Sequence, residues 1–310
     1  MSDLTAPGYP PPTSPASPTS GQSDAQIYEQ GYRSYDGPRT GVGGAVRTLV
    51  FHSIKAVLGI GRSARHKIMP VTVILFAFVP TVVFVGVAAL LPGDLEDGFL
   101  PSYAEYYGYI SLVLVLFAAF VAPELLCSDR RTGMLGVYLA SPLDRASYLW
   151  AKTMAIVSIL AVVTVGPPLL LLIALSLEDS GPGSWSEGLK LAGKIILSGG
   201  VMSAFYAGLS MAVSAATERK AVASASILGL LIGSAAVSNG LVDGGDLDER
   251  IRLGDLSALP RELAFRIHSE TGAWSQRDIS SGLIWLTAAA VIAVCAVWVW
   301  DRYRRMLVRR

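Results

Sequence analysis

Six long stretches without Asp, Glu, Lys or Arg constrain this chain more than any other feature of its sequence. They are apolar and 18 to 26 residues long. A helix needs about 20 apolar residues to cross the roughly 30 Å hydrocarbon core of a bilayer, so each stretch can span it, the shortest only with an extra turn at either end. The stretches are 68–93, 106–123, 153–177, 195–217, 221–242 and 279–300.

The composition also indicates a membrane protein. Of the 310 residues, 52% are hydrophobic and 16% are charged, against about 45–50% and about 25% in soluble domains. We therefore predict an all-α integral membrane protein with six transmembrane helices. The transmembrane domain is predicted over 68–310, with spans at about 69–92, 106–127, 150–177, 190–216, 220–241 and 281–301.

A seventh charge-free stretch, residues 4–23, differs from the other six in composition. Its many prolines and hydroxyl side chains are incompatible with a hydrogen-bonded helix in lipid. We therefore predict that residues 1–40 form a disordered tail rich in proline and serine.

The distribution of basic residues predicts the orientation of the chain. Six spans place both termini on the same side, which is formed by 1–69, 128–152, 217–220 and 301–310. That side holds 18 of the 25 Lys and Arg residues, whereas the other holds 7 basic and 15 acidic residues. By the positive-inside rule, both termini and the N-terminal tail are predicted to be cytoplasmic in a multi-pass protein of the cell membrane.

Residues 41–67, which precede the first span, show a helical pattern. Within 44–58 the apolar residues recur at spacings of three, four and seven, whereas Arg47 and Lys55 fall mostly on the other face. A basic run at 62–67 follows. We predict an interfacial amphipathic helix and then a basic collar that reaches lipid phosphates.

The connection between the second and third spans contains another short helical pattern. Gly133 interrupts the second span's helix, and a short apolar helix is predicted over 134–139. Asp144 is the expected N-terminal cap of the next helix. The segment 128–147 is therefore predicted to hold a small helix at the cytoplasmic face, between two spans.

The motifs of this connection resemble those of a known family. They are Ala-Pro-Glu at 122–124, Asp-Arg-Arg-x-Gly at 129–133, Tyr-Leu-Ala-Ser-Pro-Leu-x-Arg at 138–145 and Tyr-Leu-x-x-Lys at 148–152. In this order they look like the permease subunit of type-2 ATP-binding cassette (ABC) exporters. The six spans, the cytoplasmic termini and the helix before the first span are also similar to that family, so the resemblance covers about 45–305.

The resemblance implies the permease of an exporter whose ATP hydrolysis is supplied by a separate ABC ATPase subunit. It implies that 128–147 is a coupling loop that docks on this ATPase, that the first helix is an elbow helix, and that the permease works as a homodimer or a heterodimer. The implied ATPase contacts are Asp129, Arg130, Arg131, Met134, Leu135, Tyr138, Leu139 and Arg145.

Each of these contacts has a plainer alternative. The arginines could serve only as positive-inside anchors, and the apolar residues could lie on lipid. Glu124, at the end of an apolar run, is expected to form a structural salt bridge with Arg130 or Arg131 in preference to a proton relay.

Small residues and prolines mark particular positions within the spans. Four glycines permit close helix packing, either within the chain or at a dimer face. They are Gly200, Gly208, Gly229 and Gly233. Three prolines remove backbone donors and are expected to kink their spans, as gating hinges or as static bends. They are Pro80, Pro167 and Pro168.

No catalytic or cofactor motif is present in the sequence. Without a GxxxxGK[ST] phosphate loop the chain is not expected to be an enzyme, and ATP and magnesium are expected on the partner ATPase. The three histidines and two cysteines lack metal-ligand spacing. A net charge of +1 is unlike that of nucleic-acid-binding proteins, which leaves the bilayer and membrane subunits as partners.

Two other functions are compatible with six spans. An ATP-independent transporter or channel would be expected to carry charged or broken helices at mid-membrane, whereas the six stretches carry no charge. A membrane scaffold would bind partners through 243–280, a long segment on the outer side in which 253–268 is predicted to form a short amphipathic helix.

Overall fold

The computed structural model describes most of the chain after the predicted tail. The described residues are 37, 41–61, 63–90, 99–140, 143–178, 181–245, 247–274 and 279–306. The chain divides into Met1–Arg39 and Thr40–Arg310, and the helices described below all belong to the second unit. The predicted disorder of residues 1–40 falls, apart from residue 37, outside the described residues.

The described residues form an all-helical structure. Ten α-helices are α1 Gly41–Val57, α2 Ala64–Leu90, α3 Tyr106–Arg131, α4 Met134–Ala140, α5 Arg145–Thr164, α6 Gly166–Leu177, α7 Trp185–Ala216, α8 Lys220–Asp243, α9 Leu259–His268 and α10 Ser281–Met306. A 3₁₀-helix, Glu249–Gly254, lies between α8 and α9.

Six helical segments of this structure are long and apolar enough to cross a membrane, which confirms the predicted six helices. They are α2, α3, α5 with α6, α7, α8 and α10. The second span has the extra length that its 18-residue charge-free stretch requires, because α3 continues to Arg131. The third and fourth spans are the longest, at 33 and 32 residues.

The spans differ in how much of their surface is covered by the rest of the chain. In their most apolar windows, 67% of the residues of α3 and 61% of those of α7 are buried, against 17% in α2, 22% in α8 and 17% in α10. Helix α7 packs against α3, α5, α8, α9 and α10. Helices α3 and α7 therefore form the centre of the bundle, and α2, α8 and α10 leave broad apolar faces uncovered.

The third span is interrupted at Val165, where α5 ends and α6 begins. Pro167 and Pro168 lie in the first turn of α6, where a missing N–H costs least. Thr81 donates a hydrogen bond to the Pro167 carbonyl over 3.1 Å. Thr164 Oγ1 lies 2.9 Å from the Gly199 carbonyl oxygen, to which it donates. These two hydrogen bonds attach the third span, on either side of its break, to α2 and α7.

Gly199 of α7 makes the close approach at this break possible. A Cβ atom there would lie 2.6 Å from Val165 Cγ2 and 2.9 Å from the Thr164 carbonyl oxygen. Any larger residue would therefore push the third and fourth spans apart.

Candidate coupling surface

Helix α4 begins three residues after α3 ends. Gly133, between them, has φ +72°, a left-handed conformation that glycine adopts at little cost. The chain therefore turns sharply, and α4 lies at the end of the bundle where α3 ends and α5 begins. Arg131, Met134 and Val137 are exposed there, Val137 with 61% of its surface accessible. We call these three residues the α4 face.

The opposite side of α4 packs on the bundle. Leu135 and Tyr138 contact the buried core, and the Tyr138 ring lies 5.9 Å from the buried ring of Tyr148 on α5. Burial and the nearby Asp129 carboxylate raise the pKa of the Tyr138 phenol, so it stays protonated at neutral pH. Helix α4 is thus attached through an aromatic contact to the start of the third span.

A buried lysine lies beneath these two rings. Lys152 Nζ is 5.6 Å from the centre of the Tyr138 ring and 5.7 Å from that of Tyr148, within the range of cation–π attraction. It forms an ion pair of 2.7 Å with Asp129 and donates to Ser53 Oγ of α1 over 3.1 Å. The Tyr148 hydroxyl also donates to Asp129, over 2.9 Å.

These four residues, Ser53, Asp129, Tyr148 and Lys152, connect three helices, and we call them the lysine network. Because only 2% of the Lys152 side chain is exposed, its charge is stable there only with a partner. The Tyr148 ring also lies 6.1 Å from that of Tyr303, on α10. The network therefore joins α1, the end of α3 and the start of α5, next to the end of the last span.

Arg130 has a different role from its neighbour Arg131. Its Nη1 donates to the carbonyl oxygens of Ala215 over 2.8 Å and Thr217 over 3.2 Å, and its Nη2 lies 3.5 Å from Glu218 Oε1. Only 6% of this side chain is exposed. The guanidinium thus satisfies carbonyl groups at the C-terminal end of α7, where a positive charge also favours the helix dipole.

Lys220 forms an ion pair with Glu124 in this structure, with Nζ 2.7 Å from Oε2. The prediction that Arg130 or Arg131 would take this place was wrong. Helix α8 packs along α3, which brings its first residue beside Glu124, whereas the Arg130 side chain extends to the end of α7.

Asp144 caps the N-terminus of α5, as the sequence predicts. Its carboxylate accepts the backbone N–H of Ser147 over 2.8 Å, and the Ser147 side chain accepts the N–H of Asp144 in return. The hydroxyl and then the backbone N–H of Ser147 hold the pKa of Asp144 below its usual value. This cap fixes where the third span begins.

Comparison with known families identifies the chain. The model of the ABC-2 family of transporter proteins matches residues 22–247, which include every helix from α1 to α8. The chain belongs to the ABC-2 transporter family. This ABC-2 protein is a membrane permease of an ABC transporter, and the permease domain lacks ATPase activity. No curated protein gives a significant match to it.

The structure separates the predicted ATPase contacts of this ABC-2 protein into three groups. Arg131, Met134 and Arg145 are exposed. Asp129 and Arg130 point into the bundle, and the other three are half-buried. They are Leu135, Tyr138 and Leu139.

No role was predicted from the sequence for Lys152, Tyr148 or Ser53. A signal was available for two of them, because the Tyr-Leu-x-x-Lys motif places Tyr148 and Lys152 four residues apart, on one helix face. Ser53 carried no signal, since a serine on the apolar face of α1 is not distinctive.

The four selected glycines have different surroundings in this ABC-2 protein. A Cβ atom on Gly200, Gly229 or Gly233 would meet nothing within 4 Å, whereas one on Gly208 would lie 3.9 Å from Cys295 Cβ on α10. Gly208 therefore lies against the last span, and Gly229 and Gly233 lie on an open face of α8.

Metal-ligating side chains are dispersed in the part of the chain that the structure describes. No group of three or more His, Cys, Asp or Glu residues among the described residues could hold a metal ion.

Proposed function

We propose that this ABC-2 permease exports its substrate across the cytoplasmic membrane, driven by a separate ABC ATPase subunit that docks on the α4 face. The observation that carries the proposal is an exposed helix anchored directly on the lysine network. Val137 and Met134 offer apolar surface to a partner, and Arg131 offers a charge. Exposed apolar surface of this kind at the end of a bundle is typical of an interaction site.

The distribution of charge supports a cytoplasmic position for α4. The segments on the α4 side carry 18 of the 25 basic residues, and such segments remain cytoplasmic during insertion. ATP and magnesium, bound by the ATPase, are available only on that side. The termini and α1 then lie on the cytoplasmic side with α4.

The lysine network provides a physical route from α4 to the spans. A displacement of α4 would move the Tyr138 ring and so act on Tyr148 and Lys152. Through Asp129, the partner of both, it would also act on the end of α3. Because the core is close-packed, such a displacement moves neighbouring elements rather than being absorbed locally. The ATPase must bind the two permease conformations with different affinity to drive this change.

The open face of α8 supports a dimer. Gly229 and Gly233 leave room on that face for the backbone of another helix. A second permease, either an identical copy or a related chain, would cover the apolar surface that α8 exposes, including Leu230 and Val237. The transport pathway would then lie between the two copies.

Capture of the ATPase tests the docking site. The full chain is purified in detergent from its native membrane and assayed for co-purifying ATP hydrolysis, beside Arg131→Ala/Val137→Ser. The matched control is Arg250→Ala/Leu247→Ser, which removes the same charge and similar apolar surface among exposed residues beyond the end of α8. We expect activity with the wild type and the control and its loss with the α4 variant.

Two results would contradict this proposal in different ways. Retention of the ATPase by the α4 variant would show that docking takes place elsewhere. Absence of ATP hydrolysis from every preparation that keeps membrane complexes intact would instead favour an ATP-independent role or a scaffold that binds partners through 243–280.

Labelling tests the orientation. Arg131→Cys and Arg250→Cys are treated with a membrane-impermeant maleimide in intact and in opened cells. Residue 250 should react in both, and residue 131 only after opening; the reverse pattern would place the termini outside.

A further inference from the structure

A small cavity lies where the start of α5 meets the end of α10. Its volume is about 160 Å³, and its lining consists of Arg145, Leu149, Trp300, Tyr303 and Arg304. Two of these five side chains are positively charged, and none is acidic. The cavity thus combines a basic rim with an apolar and aromatic wall.

The two arginines of this cavity are free to bind an anion. Both are exposed, and within the described part of the chain neither forms an ion pair. Their neighbours differ, since Arg305 is paired with Asp301 over 2.8 Å and Arg302 donates to the Ala215 carbonyl. Among the described residues around this cavity, Arg145 and Arg304 are therefore the two guanidinium groups that lack a protein partner.

The cavity lies at the level of the membrane boundary. Residues 279–300 of the last span carry no charge, and charged residues begin at 301. Trp298, Trp300 and Trp150 of α5 are about half exposed near this end, as expected of an aromatic belt at the headgroup level. A ligand in the cavity would therefore have its charged part at the lipid headgroups.

We propose that this cavity binds the headgroup phosphate of an anionic phospholipid, held between Arg145 and Arg304. Guanidinium groups bind phosphate oxygens through two parallel hydrogen bonds, and basic pockets between spans accommodate such headgroups. The acyl chains would lie along the exposed apolar surfaces of α5 and α10. The lipid would connect the start of the third span to the end of the last one, independently of any ATPase.

Native mass spectrometry of the full chain in detergent tests this site, with phosphatidylglycerol and phosphatidylcholine added in turn. We expect phosphatidylglycerol to bind more tightly and Arg145→Ala/Arg304→Ala to lose about 30-fold in its affinity. The matched control, Arg47→Ala/Arg305→Ala, removes two exposed charges outside the cavity and should retain the preference. The variant Arg145→Lys/Arg304→Lys keeps the charge but not the planar guanidinium group, so it should show an intermediate loss of affinity for phosphatidylglycerol. It replaces the alanine variant in the comparison if that variant fails to fold.

Three results would overturn the proposal. Equal binding of the two lipids by the wild type would show that the phosphatidylglycerol headgroup is not recognised. An equal loss in the Arg47/Arg305 control would show a general effect of charge. Binding of soluble glycerol-1-phosphate as tightly as of phosphatidylglycerol would identify a site for free phosphate esters in place of lipid.

Discussion

The two ends of the bundle hold their charged groups in different ways. At the α4 end, Lys152 donates to Ser53 across 99 residues of sequence and pairs with Asp129 on another helix. At the far end, Arg252 of the 3₁₀-helix pairs with Asp243 and Glu249 and bonds to Asn239, all within 13 residues.

This difference determines whether each end can transmit a displacement from one helix to another. Long-range contacts between buried charges connect separate helices, so a displacement of one must affect the others. The Arg252 contacts attach a loop to the helix that it directly follows. Elsewhere at the far end, α9 is held through backbone carbonyls: Tyr206 donates to the Ser257 carbonyl over 3.1 Å, and Lys194 of α7 donates to the His268 carbonyl over 3.0 Å. The α4 end is therefore suited to coupling and the Arg252 cluster to closing the fold.

Replacement of Lys152 should have the largest effect. Lys152→Met leaves the Asp129 carboxylate largely buried without its ion-pair partner, which should destabilise the protein by about 3–5 kcal/mol. Unfolding in a denaturing detergent series measures this loss, and hydrogen exchange should increase in α1, α3 and α5 together. The double variant Lys152→Met/Asp129→Leu should recover part of the loss; no recovery would show that the charge pair is not the cause.

Replacement of the adjacent residues Arg130 and Arg131, at the α4 end, should change the stability of the protein by different amounts. Arg130→Ala removes the hydrogen bonds that close the C-terminal end of α7, at a cost of about 1.5–3 kcal/mol. Arg131→Ala changes an exposed residue and should alter stability by less than about 0.5 kcal/mol. The same unfolding assay compares the two, and equal effects would refute the role of Arg130 at α7.

Replacement of Arg252 should have a smaller and more local effect. Its carboxylate partners stay partly exposed, Asp243 at 64% and Glu249 at 41%, so water can solvate them after Arg252→Ala. We expect a loss of about 1–2 kcal/mol and faster hydrogen exchange restricted to residues near 243–258. Faster exchange in α3 or α5 as well would remove the contrast between the two ends.

The far end should also respond weakly to acid. Burial and then the charge of Lys194 lower the pKa of His268 to about 4, from the ordinary histidine value of 6.5. As the pH decreases, His268 is therefore protonated in the unfolded chain before it is protonated in the folded chain. The stability of the fold should fall as the pH decreases from about 6.5 to about 4. Allowing for partial solvation, we expect a loss of about 1–2 kcal/mol over that window.

Substitution of single histidines isolates this contribution. His268→Gln should flatten the pH dependence of unfolding, whereas His52→Gln, in an exposed residue of α1, should leave it unchanged. An unchanged slope in His268→Gln would exclude this histidine as the source.

The membrane-spanning helices could be predicted because their requirements are local. A charge in hydrocarbon is costly wherever the helix packs, so the charge-free stretches alone predicted six spans. The same applies to the cap at Asp144, which depends on neighbouring backbone groups. The prolines likewise marked the region in which the third span breaks at Val165.

The candidate site was predicted only in part. The motif between the second and third spans indicated where a short helix lies, but periodicity over seven residues could not decide which side chains face out. Val137 is exposed and Leu135 contacts the core, because the Gly133 turn and the Tyr138–Tyr148 contact set how α4 is rotated.

The sequence by itself determined that the chain has six helices long and apolar enough to cross a membrane, since this follows from the transfer of each residue between water and lipid. Only the tertiary structure decided which charged groups meet. Glu124 pairs with Lys220, 96 residues away, and Arg130 extends to the end of α7. Partners of this kind depend on which helix faces pack together, and that information is spread over the whole bundle.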